Sequence, residues 1–355
     1  MAKAAPIPII DITGAPEDQA RIAKELVDAA AEYGFVYIRT AREDISPEQV
    51  KQAFDISRAL FQSPLEDKQR CEIEKNNQGW SGMHTETLDP KTQKIGDSKE
   101  AFNFGSFSNG KAIQPIPQSV EPFQADVAAF RGSCHSLCLK LMLLFGIGLG
   151  VNPPEFFKAA HPPDEASGSI LRFLYYPPPS ATPSAQEADI RAGAHSDYGS
   201  VTLLFRLKGQ AGLEIQTPAG DWAPVPVCPP GTEEDAMPPI LINIGDLLSY
   251  WTNGLFRSTV HRVTFGGTGT DAGLTDGESS TDPRYSMAYF CHPANDVSLT
   301  AVPSERVRNF KGELATSNAG NPYAERKVMT AAEHLKMRLQ ATYLQMYSEE
   351  NAHTA

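Results

Sequence analysis

Apolar residues recur at two different spacings along this chain, and these spacings predict which segments are helices and which are strands. In the first half they step by three and four, as one buried helix face requires. Ser46, with Gln49 at the capping-box position, marks one helix start. The pattern predicts helices at about residues 17–33, 46–61 and 120–144, and short strands at 7–12 and 34–38.

From about residue 165 the spacing changes, and apolar residues alternate with polar ones in short runs between turns. The dipeptide Asn253-Gly254 is typical of a hairpin turn. Strands are predicted at residues 169–176, 191–205, 212–216, 220–225, 240–246, 258–263 and 283–290. Serial short strands of this kind are typical of a β-sandwich or barrel.

Two further segments concern the end of the long helix and a predicted helix near the C-terminus. Gly146-Ile-Gly148-Leu-Gly150 closes the long helix, and we interpret it as a C-cap, because a nucleotide-binding loop would follow a strand and open a helix. A C-terminal helix is predicted from one stripe of residues, Ala332, Leu335, Leu339, Tyr343 and Met346. Packing alone would explain this stripe; closure of the barrel mouth or self-association are the functional alternatives.

Composition narrows the range of partners. The chain has 355 residues, of which 41% are hydrophobic, enough for the core of one large globular domain. Its formal net charge is −12 and it has no basic run, so its average field repels nucleic acid and anionic membrane surfaces. A small-molecule substrate is therefore expected, with no nucleic-acid or membrane partner. The oligomeric state is left open.

Cysteine usage and the N-terminus predict a cytosolic protein. The five cysteines are odd in number and form no Cys-x-x-Cys pair, which favours buried thiols in a reducing compartment over bridges or a zinc site. The first residues lack an apolar signal region, and no run of about 18 apolar residues is present.

The most informative polar motif lies in a predicted strand. His195 and Asp197 are two positions apart, so a strand would carry both on one face. Such a pair also arises by accident, and His84-Thr-Glu86 is an instance. A third candidate ligand, His261, lies on a separate predicted strand. Two His and one carboxylate from two strands match the facial triad, which leaves three coordination positions of Fe(II) open.

A second polar pair follows on the last predicted strand of the barrel. Arg284 and Ser286 alternate onto one face of an apolar run. A guanidinium fork and a hydroxyl are suited to a carboxylate held by two-point contact. The pair therefore predicts an anion-binding end to the same site.

These motifs, in this order, resemble those of the isopenicillin N synthase-like superfamily of Fe(II)- and 2-oxoglutarate-dependent oxygenases. The similarity covers most of the chain and is closest, in 191–205 and 284–293, to the fungal and bacterial branch that contains thymine 7-hydroxylase. It implies a mainly β fold with α-helices: a double-stranded β-helix, or jelly roll, supported by a long helix and an N-terminal α/β cap. The expected regions are a cap at 1–115, the supporting helix at 116–160, the oxygenase core at 165–300 and a C-terminal helical region at 301–355.

The resemblance also implies a reaction. His195, Asp197 and His261 would be the catalytic Fe(II) ligands, and O2 would be consumed with 2-oxoglutarate to give succinate and CO2 while a substrate C–H bond is hydroxylated or desaturated. The 5-carboxylate of 2-oxoglutarate would contact Arg284 and Ser286. Tyr176 lies where the family has a tyrosine that binds the co-substrate, whereas Leu174 replaces an asparagine found in many plant members.

The substrate is not defined by the sequence. The tentative substrate contacts are four aromatic residues, Trp80, Phe102, Phe104 and Phe290, which suggest an aromatic or natural-product-like molecule. For the first three, packing of the cap onto the barrel is the equally good alternative. The likeness to thymine 7-hydroxylase instead allows a pyrimidine. The insertions at 228–239 and 266–283 are expected to be exposed, the second as a surface loop or a lid.

Three alternatives to this function stay open on sequence grounds. The first is an Fe(II) oxidase of the isopenicillin N synthase type, which would use the Arg-x-Ser pair to hold its substrate instead of 2-oxoglutarate. The second is a metal-free binding protein that kept the barrel. A zinc hydrolase is the third, and the absence of a clear general base near the motif disfavours it.

Overall fold

A computed structural model of the chain describes residues 3–89, 93, 96–178, 190–264, 283–310 and 328–342. Within these residues the helices are α1 Gln19–Glu32, α2 Pro47–Phe61, α3 Leu65–Gln69, α4 Gln124–Gly148, α5 Phe156–Ala159, α6 Asp246–Trp251, α7 Glu305–Asn309 and α8 Ala331–Thr342. The strands are β1 Ile9–Asp11, β2 Phe35–Arg39, β3 Gly79–Ser81, β4 Glu100–Phe104, β5 Phe107–Ser108, β6 Lys111–Ala112, β7 Ile170–Tyr176, β8 Ile190–His195, β9 Val201–Arg206, β10 Leu213–Gln216, β11 Trp222–Pro224, β12 Ile240–Ile244, β13 His261–Thr264 and β14 Arg284–Cys291.

Two sheets form the jelly roll that the sequence predicted. The larger has the strand order β1-β2-β12-β9-β14-β7-β4-β3, and the smaller has the order β11-β10-β13-β8. Strands β1 to β4 occupy the edges of the larger sheet, so the N-terminal region and the barrel share one sheet. The capping box of α2 is present as predicted, with Ser46 and Gln49 each bonding the other's backbone N–H.

Alternation along the larger sheet separates two apolar cores. One face packs against the helices, and the fully buried Phe102, Phe104 and Phe173 belong to it. The opposite face points between the two sheets and carries smaller or polar-tipped side chains, including Ala101, Leu174, Tyr176 and Ala288. Because successive strand residues point to opposite faces, this alternation decides which residues reach the inside of the barrel.

The supporting helix α4 is longer than the glycine motif predicted. It runs through Gly146 and Gly148, and Gly150, at φ +63°, follows its end. A Cβ on Gly148 would lie 2.3 Å from the Ala23 carbonyl oxygen, so this glycine permits the close packing of α1 on α4. The C-cap interpretation therefore holds for Gly150, while the first two glycines serve helix packing.

By length and composition alone, one helix in the described part of the chain, Glu121–Gly148, is long and apolar enough to cross a membrane. In the fold this segment contacts α1, α2, α5 and β14. Its buried side chains include Val127, Phe130, Leu137 and Leu141. Packing in the core accounts for its apolar character.

Two predicted local structures were wrong. The single strand expected at 191–205 is two strands in different sheets, because Ser196 to Ser200 form a turn that carries the chain from β8 to β9. Asn253-Gly254 does adopt the left-handed conformations of a tight turn, at φ 57° and 79°. That turn follows helix α6, however, and does not join two strands. Residues 266–282 of the second insertion, Tyr343 and Met346 lie outside the described residues.

A buried histidine ties α5 to the turn between β8 and β9. His161 is 1% exposed, and its Nδ1 and Nε2 lie 2.6 Å from the Phe157 carbonyl oxygen and 2.9 Å from Ser200 Oγ. A neutral ring that donates from Nδ1 and accepts the Ser200 hydroxyl satisfies both contacts. Burial lowers the pKa of His161 to about 4.

We therefore expect His161 to make the fold acid-sensitive. Below about pH 6.5 the unfolded chain protonates this ring while the folded chain does not, until about pH 4, so stability falls across that window. One such group contributes a slope of at most about 1.4 kcal/mol per pH unit. Urea unfolding at several pH values should show a shallower slope for His161→Gln; an unchanged slope would contradict the assignment.

Candidate active site

The two candidate histidine ligands face each other across a strand pair. His195 ends β8 and His261 begins β13, and they are directly opposite in the antiparallel register. Their ring centroids are 4.3 Å apart. Their Nδ1 atoms lie 2.7 Å from the Gly193 carbonyl oxygen and 3.1 Å from the Thr259 carbonyl oxygen, respectively. Backbone contacts at Nδ1 orient both rings, which leaves Nε2 for a metal.

Asp197 lies in the turn after β8, where it meets both rings. Its Oδ1 is 3.9 Å from Nε2 of His195 and 3.7 Å from Nε2 of His261. Its Oδ2 accepts hydrogen bonds of 2.6 Å from both Thr202 and Asn243. One carboxylate oxygen is thus held by the larger sheet while the other faces the two imidazoles.

Protonation states suit this arrangement to a metal. Burial, aided by His261 and Lys99, lowers the pKa of His195 to about 4 and favours the neutral ring. Burial opposes ionisation of Asp197, but the neighbouring imidazoles and the bonds from Asn243 and Thr202 outweigh it and lower the carboxyl pKa. Metal ligands must be neutral imidazole and ionised carboxylate, so His195 and Asp197 are in the forms that a metal requires.

The donor set fits Fe(II). One ligand atom from each of His195, Asp197 and His261 lies within 4.8 Å of the others, and among the described residues only this group of His, Cys, Asp and Glu is close enough to hold a metal. Two imidazoles and one carboxylate leave an open face on the ion. The decoy differs: His84 is exposed, while Glu86 is buried in ion pairs.

Asn243 and Thr202 were not identified from the sequence, although a signal exists. They are directly opposite in the β12–β9 pair, and Asn243 is a lone polar residue in the apolar run Ile240–Ile244. A buried polar side chain inside such a strand needs a partner, and here the partner is Asp197.

We expect Asn243→Leu to weaken Fe(II) binding by about 10- to 100-fold, the usual cost of removing a group that orients a metal ligand. The side chain is 3% exposed and similar in size, so the fold should survive. Anaerobic titration of the apoprotein with Fe(II) measures the change. Unaltered affinity would mean that Asp197 keeps its orientation without this bond.

The predicted anion-binding residues lie together deeper between the sheets. Arg284 is opposite Tyr176 in the β14–β7 pair, and its guanidinium carbon lies 4.8 Å from the tyrosine ring centroid. Arg284 Nη1 is 3.4 Å from Ser286 Oγ. All three residues are at most 4% exposed. Burial lowers the pKa of Arg284.

One cavity joins these residues to the histidines. It measures about 600 Å³, and its lining includes all six predicted metal and co-substrate residues: His195, Asp197, His261, Arg284, Ser286 and Tyr176. A neighbouring cavity of about 540 Å³ shares His195, Asp197 and Phe290 with it and extends to Leu335 and Leu339 of α8. The candidate metal position therefore lies where two chambers meet.

The structure places three of the four tentative substrate contacts elsewhere. Phe102 and Phe104 point to the helix side of the larger sheet, and Trp80 donates from Nε1 to Glu100 at 2.9 Å. None of these three lines either cavity, whereas Phe290 lines both. The assignment of Trp80, Phe102 and Phe104 to a substrate pocket was wrong, because strand alternation turns their side chains away from the barrel interior.

Helix α8 closes the second cavity. Arg338 lies 2.9 Å from Asp246 Oδ2, and its guanidinium carbon lies 4.8 Å from the ring centroid of Tyr198. Asp246 also accepts from Ser196 and Ser258. Of the alternatives left open for this helix, closure of the barrel mouth is the one that these contacts support.

Comparisons with known proteins agree with this geometry. A family model described as the N-terminal region of non-haem dioxygenases in morphine synthesis matches residues 7–121, and the 2OG-Fe(II) oxygenase superfamily model matches residues 167–293. The chain is 34% identical to a UPF0676 protein of Schizosaccharomyces pombe, over 88% of this chain and 89% of that protein.

Two further similarities concern named activities. The chain is 31% identical to proline hydroxylase buaE of Petromyces alliaceus, over 93% of this chain and 96% of that protein. Among solved structures, the thymine 7-hydroxylase of Neurospora crassa in complex with alpha-KG and thymine is similar, with a TM-score of 0.73 at 25% identity. That alignment covers 96% of this chain and 99% of the Neurospora chain.

Proposed function

This chain belongs to the 2OG-Fe(II) oxygenase superfamily, and from that membership we propose that His195, Asp197 and His261 bind its Fe(II). The protein is a 2-oxoglutarate-dependent dioxygenase. The observation that carries the assignment is the convergence of Nε2 of both histidines on Oδ1 of Asp197. Zinc hydrolysis and a metal-free binding role are not needed to explain any feature of this site.

The 5-carboxylate of 2-oxoglutarate is assigned to Arg284, Ser286 and Tyr176. These residues line the same cavity as the metal ligands, so one small dianion can extend between the two ends. A guanidinium and two hydroxyl groups supply several charge-assisted hydrogen bonds to a carboxylate. Part of the surrounding wall is apolar and is formed by Leu174, Leu204 and Ala288.

Bound Fe(II) and 2-oxoglutarate supply the oxidising chemistry, in which O2 and 2-oxoglutarate yield succinate and CO2 as a substrate C–H bond is oxidised. Residues of this chain position the three proposed metal ligands. Gly193 and Thr259 fix the two imidazoles, and Asn243 and Thr202 fix Asp197. These contacts orient the three side chains that would hold the ion, beside the two cavities.

The substrate is proposed to occupy the second cavity. Its wall combines aliphatic and aromatic side chains with polar and charged ones. The first set is Leu88, Ile170, Leu335, Leu339, Tyr198 and Phe290, and the second includes Asn77, Glu86, Arg172 and His292. A concave wall of this mixed character is typical of a small-molecule site. We infer a largely apolar substrate with a planar or hydrocarbon skeleton and one polar group.

Leu335→Ala combined with Leu339→Ala should raise the KM for substrate by about 30- to 800-fold, because each truncation removes apolar wall worth about 1–2 kcal/mol. The KM for 2-oxoglutarate should stay within about threefold, since neither leucine lines the first cavity. Steady-state kinetics with both compounds distinguishes these effects. Equal losses for both would contradict the separation of the two chambers.

The activity is tested by screening a metabolite library for substrate-dependent succinate release under air, with Fe(II) and 2-oxoglutarate present. One succinate per product molecule is expected. Product formed without succinate would indicate the isopenicillin N synthase type of chemistry instead. No turnover of any compound, together with no Fe(II) binding, would favour a binding protein.

A further inference from the structure

A buried lysine beside the metal ligands has one hydrogen-bond donor to spare. Lys99 is 3% exposed, and its Nζ contacts Asp97 Oδ2 and lies 2.9 Å from Glu86 Oε2. An ammonium has three N–H donors, and the described residues provide acceptors for two of them. Burial alone would lower the pKa of Lys99, but the two carboxylates outweigh it and raise the pKa, so the lysine is charged.

Lys99 is also part of the wall of the co-substrate chamber. Lys99 lines the cavity that holds His195, Tyr176 and Arg284. It lies two residues before Ala101, which pairs with Leu174 across the β4–β7 ladder. Ala101 and Leu174 carry no side-chain donor, and Arg172, another cation of this wall, is already paired with Asn103 and Glu86.

The ion pair of Lys99 with Asp97 connects this lysine to β8, the strand that carries His195. Asp97 Oδ1 accepts from the backbone N–H of Gly193 at 3.0 Å, and the Gly193 carbonyl oxygen contacts His195. A Cβ on Gly193 would lie 2.4 Å from Gln93 Oε1, so only glycine allows this close approach. Lys99 is thus fixed beside the strand that carries His195.

A chelating 2-oxo acid gives one oxygen of its 1-carboxylate to the metal and leaves the other in an enclosed cavity. A buried carboxylate oxygen without a hydrogen bond is costly, so a charged donor is required there. We propose that the free N–H of Lys99 binds this metal-proximal carboxylate of 2-oxoglutarate. This inference rests on the proposed function, because it takes the opposite carboxylate to be held by Arg284.

Two ligands distinguish a contact with the 1-carboxylate of the co-substrate from a contact with its 5-carboxylate. 2-Oxovalerate keeps the 1-carboxylate and 2-oxo group of 2-oxoglutarate but lacks the 5-carboxylate. We expect Lys99→Met to weaken binding of both ligands to the anaerobic Fe(II) protein by a similar factor, about 10- to 100-fold. Arg284→Ala should weaken only 2-oxoglutarate. Calorimetric dissociation constants give these values without turnover, and Fe(II) affinity without 2-oxo acid should change by less than about threefold.

Lys68→Met is the matched control for loss of a buried lysine. Lys68 is 6% exposed, and its Nζ lies 2.7 Å from Glu100, but it lines neither cavity. This variant should bind both ligands as the unaltered protein does. Lys99→Met leaves Asp97 without this cation and Glu86 with Arg172 alone. The double variant Lys99→Met/Glu86→Gln restores the charge balance of the buried cluster and is compared with Glu86→Gln.

Three results would overturn the inference. One is a loss confined to 2-oxoglutarate, which would place Lys99 at the far carboxylate. Another is unchanged binding of both 2-oxo acids in Lys99→Met, or equal binding by Lys99→Met/Glu86→Gln and Glu86→Gln. A variant in which only the affinity for substrate falls would count as this result. The last is an equal loss in Lys68→Met. Failure of the proposed function is separate, since the unaltered protein would then fail to bind 2-oxoglutarate at all.

Discussion

Replacing His195 or Asp197 with Ala should abolish succinate release. Each side chain provides one of three proposed ligand atoms, and their ring nitrogen and carboxylate oxygen are 3.9 Å apart. Removing a group that merely orients a ligand costs about 10- to 100-fold, so removing a ligand should cost more than about 100-fold. The measurement is succinate formed per enzyme under saturating Fe(II), 2-oxoglutarate and substrate.

The chain contains its own control for this experiment. His84 belongs to a similar His-x-Glu sequence but is exposed and has φ 63°. His84→Asn suits that left-handed conformation and should keep near-normal turnover. If His84→Asn lost activity as His195→Ala did, or if His195→Ala stayed active, the ligand assignment would be wrong.

Replacing Arg284 with Ala should chiefly raise the 2-oxoglutarate requirement. A charge-assisted bidentate contact contributes about 1.5–3 kcal/mol, which corresponds to roughly 10- to 150-fold in KM. The effect on the KM for substrate should be small, because Arg284 lines only the first cavity. Kinetics at varied 2-oxoglutarate and fixed substrate measures the change, and an unaltered requirement would remove Arg284 from the co-substrate site.

Arg284→Lys refines this result. It keeps the positive charge but loses the planar fork, so its KM for 2-oxoglutarate should fall between those of the unaltered protein and the Ala variant. If the Lys variant matched the unaltered protein, charge alone would account for the contact.

Local sequence patterns predicted which polar residues line the cavity better than they predicted the secondary structure around those residues. The spacing of His195 and Asp197 and the alternation of Arg284 and Ser286 identified side chains that do line one cavity. The expected strand through Asp197 was wrong because a five-residue turn with Gly199 and Ser200 transfers the chain to the other sheet. The carboxylate still meets both imidazoles, since the turn folds back over the strand end.

The site residues that the sequence did not identify depend on contacts between segments that are far apart along the chain. Asn243 and Asp197 are 46 positions apart, and Lys99 reaches Glu86 and the β8 strand through the fold. No spacing rule links such residues. The face of β4 was similarly ambiguous, because Phe102 and Phe104 fit a core as well as a pocket, and only the register with β7 decides between them.

The two-chamber arrangement gives the oxygenase a physical basis for substrate choice. The residues proposed to hold the co-substrate line the first cavity, while Leu335 and Leu339 of α8 line the second. Changes in that helix can alter the substrate chamber without disturbing the metal ligands. The contacts of Arg338 with Asp246 and Tyr198 are the attachment that keeps it in place.

The most direct test is an anaerobic crystal structure with Fe(II) and 2-oxoglutarate, with anomalous data collected at the iron edge. One iron peak is expected between Nε2 of His195, Oδ1 of Asp197 and Nε2 of His261. A peak at any other place, or none in crystals of protein that turns over, would contradict the proposed centre.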